Sequence, residues 1–198
     1  MAKRLFDLLV ASVLLVLLAP AGLVVALCIK RDSPGPVFFR QERVGRHGRV
    51  FRIHKFRTMV AAPAAGGPLL TVGADPRITA LGHWLRRHRI DELPQLIDVI
   101  QGHMSLVGPR PEVPRYVALY PEALRERVLS VRPGITDPVS LAHADESERL
   151  ARAEDPEREY VQVILPAKLQ GAAAYAERAT LWTDIGVLLR SLRVLLAP

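Results

Sequence analysis

Between Leu8 and Ile29 no position carries a charge, and basic residues stand on both sides, Lys3 and Arg4 before it and Lys30 and Arg31 after it. The run is long enough to cross about 30 Å of hydrocarbon. It is too long for a signal-peptide core of about 7–15 residues. Basic flanks favour the cytoplasmic side of a membrane, and here both ends carry them. Pro20 lacks a backbone donor and crowds the preceding turn, so it predicts a kink near the middle. A helix that turns at Ala19-Pro20 and leaves by the face it entered puts both basic ends on one side, whereas a spanning helix does not. Both readings fit the residues. Asp7, three positions after Arg4, is expected to pair with it or to lie as a carboxylate at headgroup level.

Past Ser33-Pro34-Gly35-Pro36, a stop signal, the pattern shortens. Val37 to Val44 and Val50 to Phe56 predict two strands around Gly45-Arg46-His47-Gly48, an antiparallel hairpin. Ala61 to Pro76 is rich in Gly, Ala and Pro and predicts a loop. Ile78, Leu81 and Leu85 recur at helical spacing with Trp84 beside them, after a cap and turn at Asp75 to Ile78. A second helix is expected to start with Asp91 as its N-cap and to bury Leu93, Leu96, Ile97 and Ile100 before stopping at Gly102. Towards the C-terminus, helices broken near Pro156, Pro166 and Gly171 lead to an amphipathic segment, Leu181 to Leu196. With Arg190 and Arg193 it suits a membrane interface as well as a core. The fold class is therefore α+β and mostly helical. A membrane helix over 1–32 precedes a domain over 33–198, which holds a small antiparallel β-hairpin and amphipathic interfacial helices.

Composition narrows the partners. The chain has 198 residues, room for one domain plus a membrane element. Its net charge of +7 lies outside the apolar run and favours anionic partners: nucleic acid, anionic lipid or phosphorylated substrates. A single cysteine, Cys28, excludes an internal disulfide, and the six histidines lack metal-ligand spacing. From Val37 to Met59 there are seven Lys and Arg residues against one acid, Glu42. That face can meet lipid headgroups, or it can bind phosphate through Lys55 and Arg57.

The candidate chemistry sits in "RIDELPQL". Asp91 and Glu92 follow Arg86, Arg87, His88 and Arg89. The pair suits a plain helix start, as cap and dipole partner. It equally suits catalysis: a carboxylate kept ionised among arginines can bind Mg²⁺ or attack phosphorus while the arginines hold the phosphates. Downstream, Pro109 and Pro111 fix φ on both sides of Arg110, which gives a stiff arginine suited to an anion clamp or simply a turn.

Taken together, "KRLFD", "DSPGPVFFRQERVGRHGRVFRIHKFRTM", "DPRIT", "RIDELPQLIDVIQGHMSLVGPRPE" and "VRPGIT" resemble the bacterial sugar transferases, the small monotopic phosphoglycosyl transferases acting on polyprenol phosphate. The resemblance covers about residues 3–136 and weakens beyond. It implies transfer of a sugar 1-phosphate from a UDP-sugar to undecaprenyl phosphate with release of UMP, the first membrane step of glycoconjugate assembly. It implies ping-pong chemistry through a covalent phosphosugar on Asp91, with Glu92 as dyad partner and Mg²⁺ near Asp91. Arg86 and Arg110 match phosphate-contacting positions, and Pro109 and Pro111 shape the nucleotide pocket. The N-terminal helix is implied to be re-entrant with its break at Pro20, in a minimal catalytic form on the cytoplasmic face of the bacterial inner membrane. Its partners would be the two substrates and membrane phospholipids, with no nucleic acid. A hexose, an N-acetylhexosamine or a bacillosamine-type sugar remains open, as does the oligomeric state. Two departures stand out: Asp98 where Asn is expected, and the acidic stretch "DPVSLAHADESERL" after "RPGIT".

Overall fold

A computed structural model describes residues 1–60, 70–139 and 146–196, with side chains as far as Arg193. Helix α1 runs from Ala2 to Asp32 and is helical through Pro20, so no break in the helix marks that residue. Only 6% of its most apolar window is buried by protein. Leu5, Leu9, Val16, Leu17 and Leu23 stand exposed. The few positions it does bury decide how it docks. Ala11 packs with Phe51, Ile53, Leu96 and Val99, and Ile29 packs with Phe56 and Leu85. Each fully buried aliphatic side chain contributes about 1.5–3 kcal/mol.

The polar residues of the first turns are clamps. Arg4 donates to the carbonyls of Val99 (2.8 Å) and Ile100 (3.3 Å). Asp7 is buried and accepts from Ser105 Oγ (2.9 Å) and the Leu106 amide (3.3 Å). The expected Arg4–Asp7 pair is thus replaced by contacts to the domain, because a buried carboxylate is better satisfied by fixed donors than by a solvated neighbour. Lys3 donates to the buried Asp184 and to the Val107 carbonyl.

The hairpin forms as the alternation predicts. Strand β1 (Phe38–Val44) pairs antiparallel with β2 (Val50–Phe56), Phe39 opposite Lys55. His47 and Gly48 take positive φ in the turn. Helix α2 (Ala80–Arg87) is capped by Thr79, whose Oγ1 accepts from the Gly82 amide at 2.9 Å; the cap lies later than the Asp75–Ile78 turn suggested. Of the expected loop, residues 61–69 lie outside the described residues. Leu70 and Val72 pack on the core of the C-terminal region.

Two short strands, β3 (Ser105–Val107) and β4 (Gly134–Thr136), pair in parallel. They bring "VGPRP" against "RPGIT". At their crossing a Cβ on Gly134 would sit 2.1 Å from the Gly108 amide nitrogen, and one on Gly108 would sit 2.3 Å from the Arg132 carbonyl. Only glycine allows this approach.

After the short helices α4 (Pro114–Val117) and α5 (Glu122–Val128) comes α6 (Glu146–Arg152). From α7 (Pro156–Glu159) the backbone passes through a π turn (Tyr160–Ile164) into α8 (Leu165–Arg178). The expected breaks at Pro166 and Gly171 do not occur. Pro166 sits in the first turn of α8, directly after the π turn, where its missing donor disturbs little. Gly171 lies mid-helix, where a Cβ would meet Val139 at 2.6 Å. The last helix, α9 (Leu181–Leu196), packs Val187 into the Ala11 cluster and leaves Trp182, Leu189 and Leu192 exposed.

Candidate active site

The period of two along β2 puts Lys55 on the face that carries Phe51 and Ile53. That face packs against the "RIDELPQL" segment. The segment reaches it by a reversal: α2 ends at Arg87, and Arg89 takes a left-handed conformation (φ 53°). A non-glycine residue there costs about 1–2 kcal/mol, the kind of strain that gathers at working sites. A 3-10 turn, Ile90–Glu92, follows, and only then α3 (Gln95–Ile100), which has no side-chain cap. Asp91 is therefore not the N-cap that the sequence suggests. Arg89 and Pro94 occupy the two cap positions.

Both carboxylates are buried, Asp91 to 8% exposure and Glu92 to 7%, but their surroundings differ. Glu92 Oε1 accepts from Lys55 Nζ at 2.7 Å and from Arg110 Nη2 at 2.5 Å, and Oε2 lies 3.4 Å from Arg110 Nη1. Among the described residues no hydrogen bond or ion pair ends on the Asp91 carboxylate. Burial alone pushes the Glu92 carboxyl up, but the charges and hydrogen bonds of Arg110 and Lys55 overcome it and hold Glu92 well below the usual carboxylate range. Burial also pushes Asp91 up. There Lys55 opposes burial, the charge of Glu92 adds to it, and Lys55, Arg86 and Arg110 together do not cancel the rise. Lys55 is lowered by burial despite Glu92, and Arg110 is raised by the charge of Glu92. The dyad is thus divided into one carboxylate locked as a counter-ion and one left without a partner among the described residues.

Arg110 is placed by its neighbours. Pro109 and Pro111 are buried, the Pro109 carbonyl accepts from the Gly134 amide (3.0 Å), and the Pro111 carbonyl accepts from Arg43 Nη1 (3.1 Å). Arg86, on the last turn of α2, is part-buried. It is 3.3 Å from Thr71 Oγ1 and feels the charges of Asp91, Asp75 and Glu92. Arg57 stands apart from this group. It is 5% exposed and donates to the carbonyls of Ile29, Ser33 and Pro34, so its guanidinium closes the C-terminus of α1 and is not offered to a phosphate.

Sequence patterning gave no role to two buried groups, Asp98 and Gln95. Asp98 accepts from the His54 amide (2.9 Å) and ring Nδ1 (2.7 Å), while Arg40 Nη1 lies 2.6 Å from His54 Nε2. An arginine donates only, so the ring carries its proton on Nδ1. Asp98 at the position of the expected Asn therefore ties α3 to β2. Gln95, one turn before it, is 1% exposed. A buried polar pair spaced along one helix face was the available signal.

The model of the bacterial sugar transferase family matches residues 1–198. An undecaprenyl-phosphate glucose phosphotransferase of Komagataeibacter xylinus is 49% identical over 68% of this chain and 26% of its own. A UDP-N-acetylgalactosamine-undecaprenyl-phosphate N-acetylgalactosaminephosphotransferase of Aeromonas hydrophila is 35% identical over 98% of this chain and 43% of its own. A UDP-glucose:undecaprenyl-phosphate glucose-1-phosphate transferase of Escherichia coli K12 is 36% identical over 81% of this chain and 36% of its own. The chain thus spans less than half the length of each of these three.

Proposed function

Because the chain belongs to the bacterial sugar transferase family, we propose that it moves a sugar 1-phosphate from a UDP-sugar to undecaprenyl phosphate and releases UMP. The observation that carries this reading is the divided dyad. Among the described residues Asp91 is a buried carboxylate with no hydrogen-bond or ion-pair partner, held beside a Glu92 that Lys55 and Arg110 fix in its ionised form.

An Asp91 oxygen attacks the sugar-bearing phosphorus of the donor. The bond from that phosphorus to the bridging oxygen breaks, and UMP leaves with the electron pair. A phosphate oxygen of undecaprenyl phosphate then attacks the same phosphorus and displaces the Asp91 carboxylate, which restores the enzyme. Arg86 and Arg110 face the charge of the diphosphate, and Lys55 keeps Glu92 oriented. The order is ping-pong, so UMP appears before acceptor is needed.

Mg²⁺ fits this site as a substrate-shared ion. Among the described residues no group of three His, Cys, Asp or Glu side chains would cage a metal, yet Mg²⁺ needs only one or two carboxylates when phosphates supply the rest. Asp91 is the ligand that the chain offers. When bound, the ion offsets the negative charge of the diphosphate and of the departing UMP.

The site belongs at the cytoplasmic face of the inner membrane. The first turns of α1 dock on α3 and β3, and its last turns dock on Phe56, Leu85 and Arg57. Two ends fixed to one domain fit a re-entrant helix better than a spanning one. A non-catalytic basic module for nucleic acid or anionic lipid would leave the buried dyad without a role.

The test is a donor panel of UDP-hexoses and UDP-N-acetylhexosamines with Mg²⁺ and undecaprenyl phosphate. UMP release from at least one donor is expected. Silence across the panel from folded, membrane-inserted protein overturns the reading.

A further inference from the structure

Glu92, Gln95 and Asp98 stand three apart, the spacing of one helix face. Both ends of this row are pinned to β2, Glu92 by Lys55 and Asp98 by the amide and ring of His54. Gln95 lies between them at 1% exposure, and among the described residues its Nε2 has no hydrogen-bond partner. Buried amide donors are nearly always paired, so one left open four positions after Asp91 asks for an acceptor. Helical side chains lean towards the N-terminus of their helix. That direction takes Gln95 from α3 back towards the Asp91–Glu92 turn. Lys55 and Arg110 are cations engaged with Glu92, and both oxygens of Asp98 already accept from His54. Among the described residues the Asp91 carboxylate of this segment is likewise without a hydrogen-bond partner.

Building on the transferase reading, we propose that Gln95 is a substrate-binding residue whose Nε2 donates to an oxygen of the transferred phosphoryl group, first in the donor and then on Asp91. Its neutrality matters. A cation at this position would pair with Asp91 and blunt it, whereas an amide can orient the phosphorus and leave the nucleophile free. The cations of the site answer the charge of the diphosphate. Gln95 supplies direction.

The experiment uses the full chain in nanodiscs and compares wild type with Gln95→Met, which keeps the volume and removes the amide, and Gln95→Glu, which puts an acceptor where the donor stood. Three readouts are taken: UMP release, the unfolding midpoint of the free protein, and the rise of that midpoint with UDP as a diphosphate probe. In Gln95→Met, kcat should fall about 100-fold. The midpoint without UDP should equal or exceed that of wild type, since an unpaired buried donor is gone. The UDP-induced rise should shrink. Gln95→Glu should lose at least as much turnover. Wild-type turnover together with a wild-type UDP response in Gln95→Met overturns the assignment. So does a lowered midpoint with an unchanged UDP response, which marks a packing role. If wild type itself releases no UMP from any donor, the transferase reading fails, and the UDP response still decides whether Gln95 meets phosphate.

Discussion

Asp91 and Glu92 are chemically similar neighbours with opposite energetics. Burial raises Asp91, so its folded-state pKa lies above the unfolded value. Such a group stabilises the fold at low pH and loses that contribution as pH rises through the folded pKa. At neutral pH an ionised Asp91 therefore opposes folding. Asp91→Asn should abolish UMP release, since an amide cannot form the acyl phosphate, while its unfolding midpoint equals or exceeds that of wild type. Near-normal turnover in this variant would remove Asp91 from the chemistry. Glu92 has the reverse sign. Its pKa is held down by Arg110 and Lys55, so its contribution is present above the unfolded value and is lost on acidification through the folded one. Glu92→Ala leaves two cations facing each other without a counter-ion and should destabilise the protein by about 3–5 kcal/mol in chemical denaturation. A stability change below about 1 kcal/mol would show that Arg110 and Lys55 find other partners. The dyad and Arg110 were legible in the sequence as adjacent acids and a proline-flanked arginine. Their division of labour was not. It depends on Lys55 from a strand 37 positions before Glu92 and on Arg110 18 positions after it, and the cap reading of Asp91 hid the 3-10 turn that frees its carboxylate.

At the scale of elements, the hairpin could be read from alternation because each strand is seven residues long. Strands β3 and β4 have three residues each, too few for any period to show. What announces them is a pair of glycines, and each glycine is explained only by the other chain segment. This crossing matters for the site, because Gly108 immediately precedes Pro109 and Arg110. Gly134→Ala should force β3 and β4 apart. A loss of about 3 kcal/mol in stability is expected, together with weaker donor use, as Arg110 loses its register with Glu92. Wild-type stability in this variant would mean that the strands can part without strain. Arg57 teaches the converse lesson. Next to Lys55 in a basic hairpin it resembled a phosphate ligand, but its neighbours in space are the last carbonyls of α1. Charge density along the sequence cannot separate the two roles, because Arg57 lies just past the end of β2 and its partners lie at and just past the end of α1, more than twenty positions away.

For the whole molecule, the question is which side of a bilayer each end of α1 occupies. Its apolar surface is bare, and α9, which joins the Ala11 cluster through Val187 and pairs Asp184 with Lys3, also leaves Trp182, Leu189 and Leu192 exposed. Separating the ends of α1 across a membrane would break one of two sets of anchors: Arg4 and Asp7 on α3 and β3, or Ile29 and Ser33 on Phe56 and Arg57. Either loss strands charged groups, Asp7 or Arg57, in an apolar setting without their partners, at about 1–3 kcal/mol or more for each unsatisfied group. Cys28 is the single cysteine of the chain, so a Cys28→Ser background permits a clean map. Cysteines introduced at Ala2 and at Pro36, just outside the two ends, should both react with a membrane-impermeant maleimide applied from the cytoplasmic side of inverted vesicles, and neither should react from the periplasmic side of spheroplasts. Labelling of one position from each side would establish a spanning helix and would require the domain to hold α1 by one end alone.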